Sequence, residues 1–279
     1  MMLQFDPVSA ARSFKARKDY GQNFLIEEKF AEYEASCASG KRVIEFGSGL
    51  GMLTKPLCES AAAVLSVEKD RKLYDMLSAS MDFANLKLMN SDFFSLGAEV
   101  VAGYDAIIGN VPYNVSGKLV LWLAVSRIEA FICVQKEFID HVLAKSGMRK
   151  YSRISVVSAL SSDIAILRDR IPPSYFFPKP KVESVFVRIT PKKAKVGEAE
   201  IRIISSIMSY KKKTIANALR DSAAALDLDK NAAEEILKSI EVPEKRPFAM
   251  EPYELLGFAA SVNDSISGNS KKQKRHGIN

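Results

Sequence analysis

Four consecutive residues, Asn110–Val111–Pro112–Tyr113, are of types that can act on a flat ring bearing an amine. The side-chain oxygen of Asn110 and a backbone carbonyl just after it can accept hydrogen bonds from both hydrogens of that amine. Such a nitrogen is a weak nucleophile because its lone pair is delocalised into the ring, and two acceptors pull it toward tetrahedral geometry. Pro112 stiffens the turn. Tyr113 can stack on a base, a contact worth ~1–3 kcal/mol in single-stranded nucleic acids. No strong general base is required, since an alkylated amine is first cationic and then sheds its proton readily, so catalysis would be mostly positioning. The bland alternative is a turn that holds a half-buried tyrosine.

A second constellation lies upstream. Val43–Ile44–Glu45–Phe46 runs into Gly47–Ser48–Gly49–Leu50–Gly51 and then a helical stretch, Met52–Glu59. Glycines there allow a sharp turn and a close approach of ligand to backbone. Glu68 follows Gly47 by 21 residues, a spacing at which an acid can accept from both ribose hydroxyls. Asp92, at the end of a third strand, can take an adenine amine with Phe93 beside the ring. A structural turn and an ordinary loop aspartate are the alternatives. Further on, Pro172–Lys181 combines stiffening prolines with Phe176 and Phe177, either of which could clamp a flipped base opposite Tyr113. Lys179 and Lys181 could meet phosphates; at least one of the two phenylalanines suits a core plug equally well.

The elements that would position these residues follow from periodicity. Strands are expected at Arg42–Phe46, Ala63–Val67, Leu86–Met89, Tyr104–Ile108, Ala130–Val134, Ile164–Leu167 and Ser184–Ile189. Helix-like segments separate the first five, which implies parallel strands joined by crossovers in an open, Rossmann-like α/β sheet. The last two flank the proline-rich loop Ile171–Val182 and read as a late antiparallel pair. The expected organisation is a basic lead-in over 1–40, the sheet domain over 41–190, a small all-helical domain over 191–262 and a disordered basic tail over 263–279. Pro191–Glu200 reads as a linker. Ile201–Ser222 reads as one helix from its apolar spacing, followed by helices Lys230–Ser239 and Pro252–Val262.

Composition removes several classes of function. With two histidines, His141 and His276, neither placed for a triad, hydrolysis by a serine–histidine–acid set is excluded, and so is a multi-histidine zinc site. Cys37, Cys58 and Cys133 are scattered, without a CxxC pair, and read as buried apolar residues in a reducing, cytoplasmic setting. No metal is expected. No apolar run reaches a membrane span, and the first residues lack a signal-peptide core. The net charge is +7, of which Lys271, Lys272, Lys274 and Arg275 supply four, leaving a mild excess of +3 suited to a polyanionic partner.

Taken in order, Tyr20–Gly21–Gln22–Asn23–Phe24–Leu25, IEFGSGLG, VEKD, SDFF, Asn110–Ser116, Gln135–Lys136–Glu137, Tyr151–Val156, Phe177–Ser184 and Tyr210–Leu219 resemble the KsgA family, the small-subunit ribosomal RNA adenine dimethyltransferases. The resemblance covers roughly residues 15–260. The short helical domain and the VPYN motif are similar to archaeal-type members. The resemblance implies a Rossmann-like methyltransferase fold and S-adenosylmethionine as donor. It also implies double methylation of two adjacent adenosines in the 3′-terminal hairpin loop of small-subunit RNA, late in subunit assembly. By motif, Gln22, Asn23, Leu25, Gly47, Gly49, Glu68, Asp92 and Asn110 would hold the donor, Asn110 also serving the amine with Pro112 shaping the turn. Tyr113 and Phe176 would sandwich the base. Lys211, Lys212, Lys213 and Arg220 would lie on a helix face opposite its apolar stripe and meet phosphate, with Arg12, Lys15, Arg17 and Lys18 acting similarly. A monomer is expected. The Asn-x-Pro-Tyr logic also serves large-subunit RNA and DNA adenine methyltransferases, against which the KKKTxxNAL segment argues. A non-catalytic assembly factor is a further alternative, against which the intact Glu68, Asn110 and Tyr113 argue.

Overall fold

The structure, a computed structural model, describes residues 6–14, 16–17 and 20–276, with the backbone course alone for Arg12, Ser13 and residues 269–276. Lys15 and Lys18 therefore lie outside the described residues, as do the side chains of Arg12, Lys271, Lys272, Lys274 and Arg275. The strands are β1 (Phe24–Leu25), β2 (Arg42–Phe46), β3 (Ala63–Glu68), β4 (Leu86–Asn90), β5 (Ala106–Asn110), β6 (Glu129–Gln135), β7 (Ser162–Ile171), β8 (Phe176–Phe177) and β9 (Ser184–Pro191). The helices are α1 (Pro7–Ser13), α2 (Glu28–Ser36), α3 (Thr54–Ser60), α4 (Arg71–Ser80), α5 (Ala98–Val101), α6 (Ser116–Ser126), α7 (Lys136–Val142), α8 (Arg153–Ser161), α9 (Glu198–Met208), α10 (Ile215–Ser222), α11 (Lys230–Ser239) and α12 (Pro252–His276).

Seven strands form one sheet in the order β4-β3-β2-β5-β6-β9-β7. β2 pairs in parallel with both β3 and β5, and β6 lies parallel to β5 and antiparallel to β9. β2 and β5 have apolar centres because both faces are covered: Val43, Ile44, Ile107 and Ile108 are fully buried. The chain winds outward from β2 to β4 and then returns to β2's other side with β5. The gap between the ends of β2 and β5 is thus the switch point at which open α/β sheets hold ligands. Beside the sheet, β1 and β8 form a two-residue antiparallel ribbon, Phe24 opposite Phe177 and Leu25 opposite Phe176.

The chain divides into two compact units. One holds the described residues through Ile139 together with Asp163–Pro191, the other Asp140–Ser162 together with the residues from Lys192 onward. Residues 140–162, expected with the sheet, group with the helices instead. Tyr151 explains why: it is 1% exposed, and its hydroxyl donates to the Met250 carbonyl at 2.9 Å. The expected linker is short, since β9 runs to Pro191 and α9 starts at Glu198.

Ile201–Ser222 is not one helix. α9 ends at Met208, and α10 starts behind Thr214, whose side chain caps it by accepting the Asn217 N–H. Lys211, Lys212 and Lys213 consequently sit in the connection between two helices and not on a helix face. The last helix also differs from expectation, continuing through Asn263 to His276 where an unstructured tail was anticipated. Asn263 donates to Glu200 at 3.0 Å and Ser265 pairs with Ser239 at 3.2 Å, so the start of this extension is tied to α9 and α11.

Candidate active site

The carboxyl ends of β2, β3, β4 and β5 converge on a cavity of about 310 Å³. Its lining brings together Gln22, Asn23, Leu25, Gly47, Gly49, Glu68, Asp92, Asn110, Pro112, Tyr113 and Phe176. Lys179 and Lys181 are exposed and take no part in that lining.

One end is built on the glycine turn. Gly47 and Gly49 have φ of +76° and +53°, and a side chain added at Gly47 would project into open space. The turn is fixed by Glu68, whose two carboxylate oxygens accept the Gly49 N–H at 2.9 Å and the Asp70 N–H at 2.7 Å. Burial raises the Glu68 carboxyl above its usual range, while the two backbone N–H groups oppose the rise. Each of its oxygens keeps acceptor capacity for a ligand hydroxyl. Gln22 donates to Asp70 at 3.2 Å and accepts from the Arg17 N–H at 2.7 Å, while Asn23 donates to the Gly21 carbonyl at 3.2 Å. Asp92 caps the turn after β4 by accepting the Phe94 N–H at 3.0 Å and pairs with Lys69 at 2.9 Å. The Lys69 ammonium holds its carboxyl below the usual range. Phe93 is 4% exposed and packs on Phe46, ring centroids 4.3 Å apart, giving the cavity an aromatic wall.

The other end is built on the turn after β5. Asn110 ends the strand opposite Cys133 of β6, and its Nδ2 donates to Glu34 of α2 at 2.8 Å. Its Oδ1 is buried with no hydrogen-bond partner among the described residues. Pro112 leads into a 3-10 turn, Tyr113–Val115, from which α6 continues. The Tyr113 hydroxyl pairs with Ser184 at 2.9 Å, and burial raises it above the usual phenol range. Phe176 is 5% exposed and belongs to the same apolar cluster as Leu25, Phe30 and Phe186, so it is a cavity wall as well as a core residue.

Two site residues, Glu34 and Lys118, escaped the sequence analysis, and Glu45 stood in the glycine motif without an assigned role. Glu34 is fully buried beside Asn110. Glu45, also fully buried, accepts from Thr54 at 2.8 Å and Ser66 at 2.5 Å beneath the glycine turn, and burial pushes its carboxyl up to about 7. Lys118 lies over the Phe94 ring at 4.0 Å in the cavity lining. Glu34 left one signal: it shares a helical face with Phe30, Ala31 and Ala35, an acid among apolar residues. Cys37, read as buried, is partly exposed just past α2, whereas Cys58 and Cys133 are buried. Among the described residues no group of three or more potential ligands could hold a metal, and no helix is long and apolar enough to cross a membrane.

A glycine turn with space over Gly47, a buried acid with acceptor capacity and an aromatic wall suit an adenosine-bearing ligand. The orphaned Asn110 oxygen suits a second group bearing N–H donors. A family model described as ribosomal RNA adenine dimethylase matches residues 13–250. The chain belongs to that family. Among relatives of this adenine dimethylase, the probable ribosomal RNA small subunit methyltransferase A of Methanopyrus kandleri is 30% identical over 266 residues, 90% of this chain and 94% of that one. The ribosomal RNA small subunit methyltransferase A of Desulforapulum autotrophicum is 32% identical over 263 residues, 88% of this chain and 92% of that one. The crystal structure of a dimethyladenosine transferase from Plasmodium falciparum shares the fold, with a TM-score of 0.66 at 23% identity, over 85% of this chain and 95% of that one. The methyl donor of the dimethylase is S-adenosylmethionine.

The basic residues expected to meet RNA are arranged differently from one another. Lys212, Lys213, Asn217, Arg220 and Arg246 line a second depression, in the helical unit. Arg220 forks onto Glu234 at 2.6 and 3.2 Å, and Lys213 pairs with Asp221 at 2.5 Å. Lys211 donates to the Tyr151 carbonyl, and its ammonium lies over the Phe248 ring at 5.6 Å.

Proposed function

We propose that this protein transfers two methyl groups from S-adenosylmethionine to the exocyclic amine of each of two adjacent adenosines. Its substrate would be the 3′-terminal hairpin loop of small-subunit ribosomal RNA, met in the immature subunit in the cytoplasm by a monomeric enzyme. The observation that supports the reading is Asn110, which lines one cavity with the Gly47–Gly49 turn and whose buried Oδ1 has no hydrogen-bond partner among the described residues. Buried polar atoms are rarely left without partners, and the exceptions mark places where a ligand supplies one.

The donor, when bound, presents an electrophilic methyl group on a sulfonium. Gln22, Asn23, Leu25, Gly47, Gly49, Glu68 and Asp92 hold it: Glu68 takes the ribose hydroxyls, and Asp92 takes the adenine amine beside Phe93. Asn110 Oδ1 and the Val111 carbonyl accept from the hydrogens of the target amine, turning its lone pair out of conjugation. Tyr113 stacks on the target base with its hydroxyl anchored on Ser184, and Phe176 closes the opposite side. No residue is needed to take a proton before the methyl moves. The depression lined by Lys212, Lys213 and Arg220, with Lys211 beside it and Lys179 and Lys181 on the proline loop, supplies phosphate contacts. The mostly archaeal relatives named for small-subunit methylation favour that substrate over large-subunit RNA. The test is mass analysis of nucleosides from unmodified small subunits incubated with protein and donor. Dimethyladenosine at two adjacent positions is expected; label confined to large-subunit RNA or duplex DNA reverses the assignment.

A further inference from the structure

The Asn110 amide has two ends of nearly the same shape, an acceptor and a double donor, and its partners decide which end faces the cavity. One partner is Glu34, four residues after Phe30 on the buried face of α2, with none of its surface exposed. Glu34 Oε2 accepts from Asn110 Nδ2 at 2.8 Å, and this contact turns Asn110 Oδ1 away from Glu34. Glu34 Oε1, like Asn110 Oδ1, is buried with no hydrogen-bond partner among the described residues. An ionised carboxylate can only accept, so it admits just the orientation seen here. A protonated carboxyl group carries a donor, so it can also hold the amide reversed, with Oδ1 inward and Nδ2 toward the cavity. Two donors would then face the hydrogens of the target amine.

We propose that Glu34 is a positioning residue that fixes the Asn110 amide with its acceptor facing the target amine only while the Glu34 carboxyl is ionised, so that methyl transfer is gated by pH. The inference rests on Asn110 Oδ1 being the acceptor for that amine.

The groups that act on Glu34 set the pH at which the gate works. Burial, helped by the charge of Glu45 on β2, pushes the Glu34 carboxyl up to about 8, while the hydrogen bond from Asn110 opposes the rise. The thiols of Cys133 on β6 and of Cys37 just past α2 also feel its charge, and both are themselves raised, burial being the largest cause. Among the described residues, none of the groups that shift Glu34 is a cation. An acid raised in this way is largely protonated at neutral pH and ionises as the pH climbs through about 8. The competent orientation therefore gains population in that direction, and kcat/KM, which reports the free enzyme, rises with it.

Glu34→Gln tests this directly. The glutamine has the same shape, offers both an acceptor and a donor to Asn110, and does not titrate. In single-turnover transfer to small-subunit RNA, wild-type kcat/KM should rise to a plateau above about pH 9, whereas Glu34→Gln should be flat and about tenfold below that plateau. Donor affinity by calorimetry should stay within about twofold, because the glycine turn is untouched. Carbon-13 NMR of the carboxyl groups supplies a readout independent of turnover and of the variant's folding. One resonance should titrate near pH 8 in the wild-type protein, in step with the rate. A wild-type rate that is flat while that carboxyl titrates overturns the proposal, as does a Glu34→Gln enzyme that keeps the wild-type profile. Asn110→Ala serves as the control: if it transfers methyl normally, the fault lies in the assignment of Asn110. A dead Asn110→Ala beside an unaltered Glu34→Gln rejects the role of Glu34 alone.

Discussion

Glu68 closes β3 and Asn110 closes β5, with β2 between them, yet their buried polar atoms are treated in opposite ways. Both oxygens of Glu68 are held by backbone N–H groups, and the nearby Asp92 is paired with Lys69. Asn110 is held at its nitrogen and left empty at its oxygen. An unmade buried hydrogen bond costs ~1–3 kcal/mol, and a protein tolerates that where a ligand completes it. The difference separates two tasks within one cavity. A framework already satisfied internally, at the end proposed to hold the donor, offers a shaped surface. An acceptor kept in reserve is, on the function proposed above, the one that meets the reacting nitrogen, where an interaction strengthened in the transition state raises the rate.

Substitutions at four positions break or sharpen that contrast. Asn110→Ala should lower methyl transfer about thousandfold while donor affinity moves within about threefold, measured by labelled transfer and calorimetry. A parallel fall in donor affinity would erase the distinction between the two ends. Glu68→Ala should do the reverse, raising the donor Kd about thirtyfold with kcat at saturating donor within a few-fold, because the Gly49 and Asp70 N–H groups lose their acceptor. Asp92→Ala should weaken the donor about fivefold: its carboxylate is 39% exposed and its pair with Lys69 is screened by solvent. Tyr113→Phe keeps the ring and loses the Ser184 contact, so its effect on kcat should be about threefold, against a much larger loss in Tyr113→Ala.

The glycine-turn end of the cavity was legible in the sequence because each of its parts is local. A buried parallel strand reads as an apolar run, the glycines follow it at once, and Glu68 and Asp92 end the next two strands. The Asn110–Tyr113 turn was legible for the same reason. Glu34 was not, since its partner lies 76 residues away and a glutamate in a helix ordinarily faces water. The ribbon of β1 and β8 is two residues long on each side, too short for any alternation to show. Ile201–Ser222 misled because Met208 and Ile215 are seven residues apart, so the apolar spacing runs straight through the break that Thr214 makes. The extension past Asn263 is polar, and the bonds to Glu200 and Ser239 that hold its first turn come from segments remote in the chain.

The ribbon also bears on when the enzyme becomes competent. Its two halves stand roughly 150 residues apart, and Phe176 lines the cavity from the later one. During synthesis, which proceeds from the N-terminus, the glycine loop and its acidic neighbours emerge long before that wall does. A nascent polypeptide shorter than about 180 residues lacks that wall of the cavity. Competence thus arrives as a late step in translation, when the two phenylalanines meet their mates.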